Sequence, residues 1–225
     1  MRRELSILKR QLVRKSDFLR HPIKFSKRLS KRINAKRHIY IDCGANTGQV
    51  LRSYIEQNPN LECHIFEPQP ELEEPLIALI EQHKNTSITY YKKAVWTKDE
   101  TLNFYLATEW EQNHKGGSTL LDNHTNNLSK VDYEHPVAVE AIDFEQWFRN
   151  QLQPSENDYI ILKMDIEGAE YSVLSKLIES GSINFISELI VEFHHQMIDN
   201  ISKAQHDDLI NKLKRHTSLK LVIWH

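Results

Sequence analysis

Short apolar runs alternate with segments of helical periodicity from residue 38 onward. Runs of about four to eight apolar or β-branched residues predict buried strands, and apolar residues spaced three or four apart predict helices with one buried face. The predicted strands are His38–Cys43, Glu62–Phe66, Ser87–Val95, Thr101–Ala107, Val137–Ala141, Tyr159–Met164, Glu188–Phe193 and Leu219–Trp224. The predicted helices are Gln49–Gln57, Pro70–His83, a helix capped by Asp143, Glu170–Glu179 and Lys203–His216.

This alternation predicts a fold of the α/β class. Helical crossovers join parallel strands, and the helices then cover both faces of the sheet. We expect one doubly wound, mostly parallel, Rossmann-like domain over residues 38–225, with ligands bound beyond the carboxyl ends of the strands. The polar stretch 108–136 is long for a loop in such a domain, and loops of this length are often functional.

Residues 1–37 form a strongly basic amino-terminal extension. They hold 14 Lys and Arg residues against two acidic ones, although the net charge of the whole chain is −2. Leu5, Leu8 and Leu12 share one helical face, and Pro22 is expected to interrupt the helix. A basic amphipathic helix indicates contact with an anionic membrane. No pattern of interleaved aromatic residues supports base stacking, which argues against nucleic acid as the partner. The alternative is a solvated helix that caps the domain.

The composition of the chain indicates the cellular compartment of the protein. The chain has no apolar run of about eighteen residues, so no membrane span is predicted. Its amino end lacks the apolar core of a secretory signal. Cys43 and Cys63 lie in apolar strands and are expected to be buried thiols. These features predict a cytoplasmic protein, peripheral to a membrane if the basic extension binds one, and leave the oligomeric state open.

The segment Ile41–Gly48, IDCGANTG, joins the first strand to the first helix and holds two of the six glycines of the chain. Gly44 and Gly48 allow a tight turn and a close approach of the backbone to a ligand. Their spacing differs from the G-x-G-x-x-G pattern, in which a pyrophosphate rests on a helix amino terminus. Asp42, at the start of the turn, suits a ligand with a cationic amino group. The alternative is an ordinary tight turn of another α/β protein.

Two further strand ends fit a nucleoside. Glu67 follows the second strand, 25 positions after Asp42, where an acidic side chain can accept hydrogen bonds from both hydroxyls of a ribose. A single Glu at a strand end is usually a solvated charge, but beside the glycine turn it favours the ribose. Ala94 and Val95 end the third strand with small apolar side chains that suit an adenine pocket, although core packing explains them nearly as well.

Polar residues crowd the ends of the predicted strands Tyr159–Met164 and Glu188–Phe193, which are the fourth and fifth strands of the expected core sheet. One alternative is that Asp165 and Glu170 only cap and charge the helix that follows. Because neighbouring strands end at the same edge, Asp165 and Glu192 are expected to face each other and to bind Mg²⁺ or Mn²⁺ through their oxygens. His194 is expected to be a third ligand or the base that takes a proton from a hydroxyl, with a structural role as its alternative. Lys163 is expected either to steady a developing alkoxide or to pair with Glu167.

These segments together resemble the FkbM-type family of S-adenosylmethionine-dependent methyltransferases. The resemblance runs from about Tyr40 to His194 and rests on IDCGANTG, HIFEPQPEL, KKAVW, KMDIEGAEYSVL and ELIVEFH, in that order. It implies a class I methyltransferase fold whose glycine turn surrounds the methionine part of S-adenosylmethionine. The residues that it implies around this cofactor are Asp42, Gly44, Asn46, Gly48 and Glu67.

The resemblance also implies methyl transfer to a hydroxyl oxygen, often on sugars and polyketide products. We therefore predict an O-methyltransferase for a sugar, a glycan or a similar small hydroxylated acceptor. Its main contributions would be to position the hydroxyl in line with the methyl group and to remove the hydroxyl proton. A class I sheet normally ends in two more strands after the fifth, the last of them antiparallel. Only Leu219–Trp224 is available here, so the strand order at that edge stays open.

Three other functions stay open at this point. An RNA methyltransferase fits the basic extension, but the Asn/Asp-Pro-Pro-aromatic run of nucleobase-amine enzymes is missing after the fourth strand. A nicotinamide-dependent oxidoreductase is opposed by the glycine spacing. A binding module without catalysis is opposed by the polar residues at the strand ends.

Overall fold

The computed structural model describes residues 31–108, 116–122 and 131–224. The helix predicted before Pro22 lies outside the described residues, and so do the parts 109–115 and 123–130 of the predicted long loop. Among the described residues, no helix has the length and apolar character needed to cross a membrane. The boundary at residue 37 stays a prediction. Arg37 itself opens the first strand and pairs with Asp158 at 2.6 Å.

Strands and helices alternate along the described chain much as the apolar pattern predicts. In chain order the elements are β1 Arg37–Cys43, α1 Gln49–Gln57, β2 Glu62–Phe66, α2 Glu73–Gln82, β3 Ser87–Tyr91, β4 Ala94–Trp96, β5 Glu100–Phe104, β6 Val137–Asp143, α3 Phe144–Trp147, β7 Asp158–Met164, α4 Glu170–Glu179, β8 Ile186–Glu192, α5 Lys203–Arg215 and β9 Lys220–Trp224. A 3₁₀ turn at Pro70–Leu72 precedes α2, and Pro70 stands at its first position, where the missing N–H donor would have no partner within the helix.

The main sheet has six strands in the order β3-β2-β1-β7-β8-β9, and every neighbouring pair is parallel. The strand order reverses between β1 and β7, which is where ligands bind in open α/β sheets. The predicted doubly wound, mostly parallel α/β fold is confirmed.

The main sheet is covered on both faces. On one face Ile39, Ile41 and Cys43 of β1 pack in a core with α3, α4 and α5, and on the other face Tyr40 packs with α1 and α2. This period of two along β1 follows from the pleat, which points successive side chains to opposite faces. Cys43 and Cys63 are buried free thiols, as predicted.

A second, smaller sheet corrects one prediction. The segment Ser87–Val95, predicted as one strand, is two: β3 stays in the main sheet, and β4 pairs in parallel with β6, which pairs antiparallel with β5. The break falls at Lys92-Lys93, where Lys92 turns outward to an exposed ion pair with Glu73 at 2.6 Å. Two consecutive lysines interrupt the apolar run, because ammonium groups resist burial.

The last strand, β9, forms one edge of the main sheet. β9 pairs with β8 in parallel, with Leu189 opposite Leu221 and Val191 opposite Ile223. Within the described part of the chain, the main sheet therefore ends in a single parallel strand after β8 and has no antiparallel member.

Candidate functional site

Three strand ends meet at the carboxyl edge of the main sheet. The amide of Gly44 donates to the carbonyl of Phe66 at 3.0 Å, and the amide of Asp165 donates to the carbonyl of Cys43 at 3.1 Å. The hydrogen-bond ladder between the parallel strands thus continues to the first residue after β1 and to the first residue after β7. It brings the glycine turn, Glu67 and Asp165 together from positions far apart in the sequence.

The glycine turn after β1 has a left-handed backbone at three positions and packs closely against its neighbours. Gly44, Asn46 and Gly48 have left-handed φ values of 80°, 51° and 73°. A Cβ at Gly44 would lie 1.9 Å from the carbonyl oxygen of Asp165, and a Cβ at Gly48 would lie 2.3 Å from a methyl group of Leu79. Glycine is therefore needed at position 44 to bring β1 and β7 together at their ends, and at position 48 to seat α1 on α2.

Glu67 is buried and held from both sides. Its Oε2 accepts the amide of Asn46 at 2.8 Å, and its Oε1 accepts the amide of Gln69 at 3.0 Å. Burial raises the pKa of the Glu67 carboxyl to about 7, although the two amides act in the opposite direction. The side chain is thus oriented before any ligand arrives, and it lines the cleft described below.

Asp42 and Lys163 form a buried ion pair beneath the turn. Lys163 Nζ lies 3.2 Å from Asp42 Oδ1 and 3.5 Å from Asp165 Oδ2, and it donates to the carbonyl of Gly44 at 2.6 Å. Burial raises the pKa of Asp42, with Lys163 opposing that shift. Burial would lower the pKa of Lys163, but the charges of Asp42 and Asp165 outweigh it and raise that pKa.

The ion pair therefore supports the turn from below. Neither Asp42 nor Lys163 is among the residues that line the cleft. The partners of Lys163 are Asp42 and Asp165, and not Glu167, the partner that the sequence suggested. Direct contact of Asp42 or Lys163 with a ligand stays a prediction.

A cleft opens above the turn and is lined by both polar and apolar residues. The predicted site residues that line it are Gly44, Asn46, Glu67, Ala94, Val95 and Asp165. Ala94 and Val95 reach the cleft from β4, so the small sheet supplies part of its apolar wall together with Phe66, Leu72 and Phe104.

A cluster of carboxylates surrounds His194 at one end of the cleft. His194 is 5 % exposed, and its Nε2 lies 3.5 Å from Glu167 Oε2 and 3.8 Å from Asp165 Oδ1. Its Nδ1–H donates to Oε1 of the fully buried Glu170 at 3.0 Å, and the same oxygen accepts its main-chain amide at 2.8 Å. Burial would lower the pKa of His194, but the hydrogen bond and charge of Glu170, with the charges of Glu167 and Asp165, raise it to about 10.

The membership of this cluster corrects the predicted metal pair. Asp165, Glu167 and His194 each offer one ligand atom, all within 4.8 Å of one another, and Glu192 is not part of that group. The left-handed backbone of Glu167, with φ 51°, reverses the chain after β7 and lets its carboxylate reach His194. Burial and the charge of Asp165 raise the pKa of Glu192, as expected for neighbouring strand ends.

Sequence reasoning missed the roles of Glu167 and Glu170. Glu170 follows the turn after β7, and its position suggested only a favourable charge in the first turn of α4. In the structure its Oε2 accepts the amide of Gly168 at 2.8 Å while its Oε1 holds His194. The sequence feature that could have revealed these roles is the close spacing of Asp165, Glu167 and Glu170 in KMDIEGAE, which places three carboxylates on one turn.

The described part of the long loop closes over the same cluster. Gly117 donates its amide to Glu167 Oε1 at 2.8 Å, and the hydroxyl of Thr119 donates to the Glu167 carbonyl at 2.8 Å. Gly116, Gly117, Ser118 and Leu120 line the cleft. Within the described residues, this loop therefore forms part of the wall of the cleft.

Fold and site together define the class of protein. A doubly wound parallel sheet carries a glycine turn after its first strand and a buried carboxylate after its second, and both line the cleft at the switch in strand order. These are features of Rossmann-like enzymes that bind a nucleoside cofactor. The model of one such family, the methyltransferase FkbM domain, matches residues 42–219. The chain therefore belongs to the FkbM methyltransferase family.

Two further comparisons add little to this assignment. Among solved structures, the chain is similar to methyltransferase FkbM from Methylobacillus flagellatus KT, with 17 % identity and a TM-score of 0.40. The similarity covers 65 % of this chain and 30 % of that one. A comparison with curated protein sequences gives no significant match.

Proposed function

We propose that this methyltransferase uses S-adenosylmethionine to methylate a hydroxyl oxygen of a sugar, a glycan or a similar small hydroxylated acceptor. The observation that carries the proposal is that Glu67 and Asp165 line one cleft. Glu67 marks the expected place of the ribose of a nucleoside. Asp165 offers a carboxylate that the hydroxyl of an acceptor can reach.

The side chains of the cleft fit the cofactor. Glu67 is oriented by two backbone amides, and its pKa near 7 leaves the carboxylate available as an acceptor for ribose hydroxyls at and above neutral pH. Ala94, Val95 and Phe66 supply an apolar wall for an aromatic base. Asn46 stands at the turn, where we place the methionine part. When bound, S-adenosylmethionine supplies an electrophilic methyl group on a sulfonium.

The charges of the cleft favour an acceptor without phosphate. Among its described lining residues, Glu67, Asp165 and Glu167 are acidic and none is Lys or Arg. Like charges repel, so this lining disfavours the phosphates of RNA and the pyrophosphate of a nicotinamide dinucleotide. Hydroxyl groups, which donate hydrogen bonds to carboxylates, suit it well.

Asp165 is the residue that we assign to the acceptor hydroxyl. Its side chain is 31 % exposed and lines the cleft, so an acceptor can reach it. Without a cation in this cluster, the neighbouring carboxylates raise the pKa of His194 to about 10, so the imidazole already holds its proton at neutral pH. Asp165 would accept the hydroxyl proton as the acceptor oxygen takes the methyl group that a bound S-adenosylmethionine would supply.

Ligand binding and methyl transfer test the proposal. Calorimetry is expected to show binding of S-adenosylmethionine and of its demethylated product, and no binding of NAD. Activity with radiolabelled S-adenosylmethionine is expected on members of a panel of neutral glycans and glycosides, and not on RNA. Binding of NAD without S-adenosylmethionine, or labelling of RNA alone, would contradict the proposal.

The basic extension 1–37 carries a separate proposal, that it holds the enzyme at an anionic membrane. Its charge balance supports this idea, because each Lys or Arg near such a surface contributes about 1 kcal/mol. The full chain is expected to sediment with acidic liposomes and to be released as salt screens the charges.

The control is the full chain with Gln in place of the Lys and Arg residues at positions 1–30, which is expected to stay in the supernatant. Equal sedimentation of both forms would leave the extension as a structural cap. The cytoplasmic location stays a prediction.

A further inference from the structure

We propose that Asp165, Glu167 and His194 form a binding site for one divalent cation at the acceptor end of the cleft. The inference rests on the proposed function, because it gives the acceptor hydroxyl a positive charge to bind beside. The three residues come from the turn after β7 and from the end of β8, so only the folded chain brings them together.

The spacing of the donor atoms suits one shared ion. His194 Nε2 lies 3.5 Å from Glu167 Oε2 and 3.8 Å from Asp165 Oδ1. Ligand bonds to small divalent cations are about 2.1 Å long, so ligand atoms around one ion lie roughly 3 to 4 Å apart. The two separations from Nε2 fall within this range, and all three donor atoms lie within 4.8 Å of one another. Binding of the ion would replace the Nε2 proton of His194, because only a neutral imidazole can be a metal ligand.

Glu170 supplies the support that a metal-binding histidine usually has. Imidazole ligands commonly donate their second N–H to a carboxylate, which fixes the tautomer and the direction of the ring. Here Nδ1 of His194 donates to Glu170 Oε1 at 3.0 Å, so Nε2 is directed toward Asp165 and Glu167. Glu170 is itself fixed by the amide of Gly168 at 2.8 Å.

The loop over the cleft fixes a second ligand. The amide of Gly117 donates to Glu167 Oε1 at 2.8 Å, while Glu167 Oε2 is the oxygen on the side of His194. One carboxylate oxygen is thus engaged by the backbone, and the other is held in place for the ion. Two ligands of the proposed set are therefore oriented by groups outside it, and Asp165 brings the site to the edge of the cleft.

Two carboxylates and one imidazole favour Mn²⁺ over Mg²⁺, because Mg²⁺ prefers an all-oxygen shell. Water and the acceptor's hydroxyls would complete the shell. The ion would then stabilise the negative charge that develops on the acceptor oxygen as its proton leaves.

Binding of Mn²⁺ alone tests the site. Electron paramagnetic resonance of free Mn²⁺ is expected to show one bound ion per full-length chain. Glu167→Gln and His194→Gln are each expected to weaken that binding about tenfold or more. The matched control is Glu192→Gln, which removes a carboxylate from the neighbouring strand end. It is expected to weaken binding far less than Glu167→Gln does, because Glu192 acts on the group through its charge alone and offers it no ligand atom. Thermal unfolding identifies any variant that does not fold. Glu167 is more exposed than His194, so Glu167→Gln is expected to fold even if His194→Gln does not.

Two outcomes would overturn the inference: no Mn²⁺ bound by the unmodified protein, or Glu192→Gln weakening binding as much as Glu167→Gln. Calorimetry with S-adenosylmethionine on the same preparations separates this failure from that of the proposed function. A protein that binds the cofactor but no Mn²⁺ refutes the metal site alone, whereas a protein that binds Mn²⁺ but no cofactor refutes the proposed function.

Discussion

Replacing Asp165 with Asn is expected to lower the turnover of methyl transfer about a hundredfold or more while leaving the affinity for S-adenosylmethionine within about threefold. The turnover estimate follows from the usual contribution of a positioned proton acceptor, about 10²- to 10⁴-fold. The side chain keeps its size and loses the charge that would receive the proton or bind a cation. The cofactor is expected to lie mainly against the ends of β1 and β2, so its binding should change little.

The control for this substitution is Glu192→Gln. Glu192 ends the strand beside β7 and is half-buried, but it does not line the cleft. Single-turnover rates with a saturating acceptor, measured beside cofactor affinity by calorimetry, separate chemistry from binding. A loss of cofactor affinity as large as the loss of turnover would make Asp165 a binding residue. An Asp165→Asn rate within a few-fold of the unmodified rate would remove it from the chemistry.

Replacing Glu67 with Ala is expected to lower the affinity for S-adenosylmethionine at least tenfold. Two hydrogen bonds from ribose hydroxyls to a charged group are each worth about 1.5–3 kcal/mol, and about 1.4 kcal/mol corresponds to a tenfold change. The same change leaves the amides of Asn46 and Gln69 without their acceptor, so the turn after β1 can also loosen.

A cofactor analogue separates the ribose contact from loosening of the turn. S-adenosylhomocysteine without its ribose 2′-hydroxyl is expected to bind the unmodified protein more weakly than the complete compound. It is expected to bind the Ala variant as well as the complete compound does. If the variant still discriminates between the two compounds as strongly as the unmodified protein, Glu67 does not hold the ribose.

The raised pKa of Glu67 adds a pH dependence to the same measurement. Burial raises the pKa to about 7, so the carboxyl is increasingly protonated below that pH and accepts hydrogen bonds less well. Affinity for the cofactor is therefore expected to fall as the pH drops through about 7, and this part of the pH dependence should be missing in the Ala variant. A flat profile from pH 8 to pH 6 in the unmodified protein would count against the assignment.

Much of the fold can be predicted from local pattern. The bounds of Gln49–Gln57, Glu62–Phe66 and Glu170–Glu179 agree with the observed elements, because apolar periods of two and of about 3.6 residues report which side of a segment is buried. The glycine turn was also visible, since only glycine combines the left-handed backbone at position 44 with the close approach of Asp165. Positions after strands were sufficient to single out Glu67, Asp165 and His194 as site candidates.

What the sequence by itself determined, then, is the type of each element, the parallel sheet, and the edge at which a site would form. Only the tertiary structure decided which partners meet there. Lys163 pairs with Asp42 beneath the glycine turn. Glu167, and not Glu192, lies beside Asp165 and His194. The strand β4 belongs to the small sheet, from which it forms part of the wall of the cleft. The physical reason is that local pattern reports burial, whereas ion pairs and strand pairing depend on distances between segments far apart in the chain, which no local window contains.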